Sequence, residues 1–87
     1  LMNNPFVHEQ SSALAKGIGT KLKPEDRVVS AWRLVFGRDP RAGEIEAALT
    51  HLDKQATRFQ ARPDPALDAL ASLCHVLLNA NEFLYVD

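Results

Sequence analysis

Apolar residues return along this chain with a helical period, and proline, glycine and aspartate mark where each run begins and ends. The sharpest run lies between Pro24 and Pro40. Pro24 suits a first helical position, where its missing N–H costs nothing, and Glu25 and Asp26 favour the positive helix N-terminus. At about 100° per residue, Val28, Val29, Trp32, Val35 and Phe36 fall within roughly 120° of arc, leaving Arg27, Ser30 and Arg33 as a narrow polar stripe. This pattern predicts a core helix. Gly37 supplies a left-handed cap and Pro40 blocks continuation.

Three further runs flank it. The first helix is expected from Asn4 as N-cap with Pro5 just inside, Phe6, Val7, Ala13, Leu14 and Ile18 sharing a broad face, and Gly17 and Gly19 ending it. A basic linker, Lys21-Leu22-Lys23, follows. Asp39 and Pro40 read as cap and first position of a third helix, whose residues Ile45, Ala48, Leu49, Leu52, Ala56 and Phe59 form a one-sided stripe of roughly 100°. Gly43 in its first turn weakens it by ~1 kcal/mol against alanine. This helix is expected to fade near Arg62, before Pro63 and Pro65. Asp64 then caps a fourth helix on which Leu67, Leu70, Ala71, Leu73, Cys74, Leu77 and Leu78 face one way, with Asn79 as its left-handed C-cap. Residues 81–87 form either a short helical turn or an apolar tail laid across the bundle. The fold class is therefore all-α: a bundle of four helices joined by short turns, successive helices antiparallel.

Composition adds limits. Eighty-seven residues make one domain, which buries roughly 60–65% of its unfolded surface. Ten basic against eleven acidic side chains give no broad attraction to nucleic acid or anionic membrane. No apolar run approaches the ~20 residues of a membrane span. The opening Leu-Met-Asn-Asn-Pro does not read as a signal peptide, and looks like the middle of a longer protein. One cysteine excludes an internal disulfide.

Candidate chemistry is sparse. Cys74-His75 invites comparison with c-type haem attachment, but the first cysteine of that motif would fall at Ala71, so the motif fails. A small buried thiol is the simpler reading of Cys74. His8, His51 and His75 fall on three different helices without ligand spacing, so no metal is expected, and no other cofactor. Glu44, Glu46 and Asp53 read as a solvated face rather than a general acid–base pair. The second and third helices could imitate a helix-turn-helix, yet the third, which would be the reading helix, opens with Glu44 and Glu46 after a single Arg41, which argues against DNA binding. No catalytic constellation emerges, and an enzyme is not expected. Leu34 and Val76 fall outside the main apolar stripes, as part of a wide bundle interface or as a docking surface for sequence outside these residues. Arg38, beside the carbonyl end of the second helix, could clasp Glu82, flanked by Asn79 and Asn81; the alternative is two solvated charges.

Three phrases carry a resemblance: Asn-Asn-Pro-Phe-Val-His-Glu-Gln at 3–10, Trp-Arg-Leu-Val-Phe-Gly-Arg-Asp-Pro at 32–40, and Leu-Cys-His-Val-Leu-Leu-Asn-Ala-Asn-Glu-Phe-Leu-Tyr-Val-Asp at 73–87. In this order the chain resembles the C-terminal end of a planctomycete-specific domain of unknown function, found in large exported proteins beside planctomycete cytochrome-c-like domains. Trp32 stands where that family usually has tyrosine, and Arg41 where a Thr or Ser cap is common. The resemblance implies the tail of a longer cell-envelope protein that packs on its upstream domains or on a protein partner, any haem belonging upstream. The alternative is a piece that completes an active site whose catalytic residues lie upstream. Gly-Arg-Asp-Pro with the distant Asn-x-Glu-Phe is also similar to a small helical domain appended to secreted bacterial hydrolases and adhesins.

Overall fold

The computed structural model describes residues 5–84, with side chains described for residues 5–81. Four α-helices follow one another: α1 (Pro5–Ile18), α2 (Pro24–Phe36), α3 (Ala42–Arg58) and α4 (Pro65–Leu84). There is no strand among the described residues. The all-α bundle read from the sequence is the fold observed. Neighbours in sequence pack together, α1 packs on α4, and one diagonal closes, between α2 and α4; α1 and α3 do not meet. Thus α4 touches every other helix.

The reason is compositional. α4 is the most apolar helix and packs Ala69, Leu70, Leu73, Cys74 and Leu77 into the core. Val28, Ala31 and Trp32 of α2, Ala48 and Leu52 of α3 and Ala15 of α1 meet them there. Trp32 is 7% exposed and tilts against Phe36 with ring centroids 5.8 Å apart.

α2 has the predicted bounds. Gly37 adopts φ 70°, and its N–H donates to the Arg33 carbonyl at 3.0 Å. That left-handed geometry is cheap only without a Cβ. Gly19 does the same after α1, with φ 76° and an N–H donated to the Ala15 carbonyl.

Four expectations need correction. α1 turns Val7, Ser11 and Ala15 inward, whereas Phe6 and Ala13 are exposed. A serine therefore sits in the buried stripe, made tolerable because its hydroxyl donates to the Val7 carbonyl at 2.6 Å within the helix. α3 begins at Ala42, with Arg41 as N-cap; Asp39 does not cap it, because its carboxylate accepts the Arg33 guanidinium instead. The same helix ends at Arg58, short of Arg62, as Gln60 and Arg62 donate to the Thr57 and Phe59 carbonyls and close a turn. Asn79 is not a left-handed cap: it is buried within α4, which continues to Leu84, and no non-glycine residue has positive φ among the described residues. Asn79 is itself packed, at 6% exposure, in the middle of a turn that stays helical. Asp64 does cap α4, accepting the Leu67 N–H at 3.2 Å. Residues 81–84 continue that helix, while the packing of the tail's side chains from Glu82 onward lies outside the described residues.

The α3 cap is half built. Glu44 reaches back to accept the Arg41 N–H at 2.8 Å, but an arginine side chain has no acceptor for the free N–H groups of the first turn. Arg41→Ser is therefore expected to complete a capping box and stabilise the protein by about 0.5–1 kcal/mol in urea unfolding. Trp32→Ala, by contrast, is expected to cost about 3–5 kcal/mol. The intact domain should show blue-shifted indole fluorescence that moves to the red on unfolding.

Candidate functional site

The three histidines, scattered in the sequence, come to the neighbourhood of one open groove. Its lining comprises His8, Ser11 and Ser12 from α1, Arg58, Phe59 and Arg62 from the end of α3 and its turn, and Asp68, Ala71, Ser72 and His75 from α4; its volume is about 650 Å³. His51 stands beside it, with Nε2 3.0 Å from the Ser72 hydroxyl. On α4, Asp68, Ala71, Ser72 and His75 fall nearly opposite the inward residues Leu70, Leu73 and Leu77 at about 100° per residue. The groove thus uses a half-buried side of the helix that organises the core, in the space left because α1 and α3 do not pack on each other.

Its charges are unevenly satisfied. Arg62 donates from Nε to Asp68 at 2.7 Å, cancelling the one carboxylate in the lining. Arg58 lies over the Phe59 ring, 5.4 Å from its centroid, and makes no hydrogen bond or ion pair among the described residues. Burial lowers the His51 pKa from 6.5, so this imidazole is neutral at pH 7 and can pair with the serine as donor or acceptor. Nucleophilic use of Ser72 would need a group to orient His51 and donors for an oxyanion; Ser72 is the one side-chain hydrogen-bond partner of His51 among the described residues. No group of three or more His, Cys, Asp or Glu residues is placed to hold a metal ion among the described residues. Cys74 is fully buried, and burial pushes its thiol up to about 11, far from nucleophilic at neutral pH.

The remaining sequence candidates lie elsewhere. Arg38 is taken by the next helix: its two terminal nitrogens donate to the two carboxylate oxygens of Glu44 at 2.9 and 3.0 Å, and one also reaches the Asp39 carbonyl. It also lies over the Phe36 ring. The expected clasp had paired this guanidinium with Glu82, whose side chain lies outside the described residues. Asn79 and Asn81, two residues apart and so on nearly opposite sides of α4, each have a buried Oδ1 that has no hydrogen-bond partner among the described residues. Glu44, read from the sequence as solvated, is the acceptor of that fork and of the Arg41 N–H, and these bonds hold its pKa down at about 2. Leu34 and Val76 are exposed, at 61% and 40%, Leu34 on the side of α2 away from Trp32.

What the sequence missed was the convergence on the groove. The available signal was weak: Asp68, Ser72 and His75 share one side of a largely apolar helix, and Ser12 follows His8 by one turn. Nothing local could reveal that α1 and α3 would flank that side. Compared with protein-family models, curated proteins and solved structures, the chain finds no match. No helix among the described residues is long and apolar enough to cross a membrane.

Two pH windows follow. A histidine with a depressed folded pKa leaves the unfolded state binding more protons, so its contribution is intact above pH 6.5 and is lost as pH falls through the folded value. Glu44 contributes above its ordinary 4.5 and loses that contribution as pH falls toward about 2. Urea midpoints measured against pH should therefore decline in two steps, and His51→Gln should flatten the upper step alone. An unchanged upper step in that variant would show that His51 is not the group responsible.

Proposed function

We propose that this chain is a non-catalytic helical module that docks on the remainder of a longer, exported cell-envelope polypeptide or on a protein partner. The observation that carries this reading is the exposure of Leu34 and Val76 on helices that turn Val28, Trp32, Leu70, Leu73 and Leu77 into the bundle. Large apolar side chains in water are ordinary when single, and gain significance when a partner can cover them. The placement in the cell envelope, and the kinship with the planctomycete-specific domain of unknown function, rest on the three sequence phrases alone.

A second reading has the histidines in its favour. A module that brings His8, His51 and His75 around one groove could complete an active site whose reacting groups lie upstream. Restoration of a lost activity by adding residues 1–87 in trans would support it.

The docking reading is tested by producing residues 1–87 and the remainder of the polypeptide as separate chains. Copurification is expected, with Leu34→Glu and Val76→Glu together reducing it at least tenfold while leaving the fold intact. Equal recovery of wild type and double variant would refute docking through these residues.

A further inference from the structure

The groove between α1, the end of α3 and α4 has a chemistry that the docking reading leaves unused. Every other arginine that meets a carboxylate is matched one to one: Arg33 with Asp39, Arg38 with Glu44 and Arg62 with Asp68. Arg58 is the groove's unmatched guanidinium. Its Cζ lies 5.4 Å from the Phe59 ring centroid, a contact that uses none of its N–H donors. Those donors are left to take a carboxylate through two parallel hydrogen bonds. Around it stand His8 and Ser12, neither with a hydrogen-bond partner among the described residues, and His75 at the same lining. Asp68 is the one acid present, and Arg62 neutralises it.

We propose that this groove binds a short acidic peptide segment, with a side-chain carboxylate on Arg58 and the peptide's backbone polar groups on Ser12 and His8. This rests on the docking reading and names the chemistry of the partner. The size and openness of the groove favour a peptide over a single small anion: about 650 Å³ spanning three helices is far more than one carboxylate or phosphate fills. Phe59 and Ala71 add apolar contact for the stem of a glutamate. The near-zero net charge of the chain makes the attraction local, which suits one or two carboxylates and not a polyanionic backbone.

The test is NMR titration of isotopically labelled residues 1–87 with a capped tetraglutamate peptide, with capped tetralysine and inorganic phosphate as parallel probes. Saturable shifts are expected at the backbone amides of residues 8–12, 57–62 and 68–75, with a dissociation constant of about 1 mM or tighter. Arg58→Gln, at an exposed position whose loss should not disturb the fold, is expected to weaken binding about fivefold or more. Ser12→Glu, which places a negative charge in the groove, should weaken it as well. Leu34→Glu with Val76→Glu should leave the titration unchanged, which separates this proposal from the docking test. The proposal is overturned if tetraglutamate gives no saturable shift, if tetralysine binds equally, if phosphate alone saturates these residues, or if both groove variants bind as wild type.

Discussion

Burial of α4 is the constraint on which the other helices depend. Leu70 and Cys74 are fully enclosed, with Leu73 and Leu77 nearly so, and this is possible only because α1, α2 and α3 each lay a stripe against the same helix. Apolar burial is non-directional and roughly proportional to area, so α4 contributes most where three neighbours cover it at once. The arrangement also explains why α1 and α3 remain apart. Both are drawn to α4, and α2 closes the remaining side. The polar groove is what α4 presents in the gap between α1 and the end of α3.

Polar chemistry fixes the turns around that apolar centre. Arg33–Asp39, Arg38–Glu44 and Arg62–Asp68 are each separated by six residues, and each has one member in a turn between helices. Exposed pairs of this kind add little stability singly. Their effect here is on direction: Arg33–Asp39 ties the end of α2 to its turn, and the other two tie a turn to the first turns of the next helix. Inside, the balance is less complete. Trp32 Nε1 and Arg27 Nε are buried without hydrogen-bond partners among the described residues, although the Arg27 terminal nitrogen reaches the Thr20 carbonyl at 2.7 Å. Such orphaned donors cost about 1–3 kcal/mol each, which the packing of the same side chains must offset.

Much of this was legible in the sequence because local signals agreed. α2 could be bounded at both ends, since Pro24, the acidic first turn and Gly37 all point the same way as its apolar arc. α1 was harder, because its inward stripe runs through Ser11, a residue whose polarity is hidden by a bond to its own helix. The start of α3 was misjudged for a related reason. Asp39 is a good cap by type, but a nearby arginine competes for its carboxylate. The groove was illegible because it depends on which helices fail to touch. Likewise Arg58 could be seen as special only after the groove's other guanidinium, that of Arg62, had found its carboxylate.

The single thiol has a consequence of its own. Cys74 is sealed on the one helix that contacts all the rest, so no local fraying at a turn or terminus uncovers it. A reagent in solution meets that sulfur only when the domain opens as a whole. In an oxidising compartment the cysteine is thus protected by cooperativity rather than by chemistry, and its oxidation state would record whether the molecule has ever come undone.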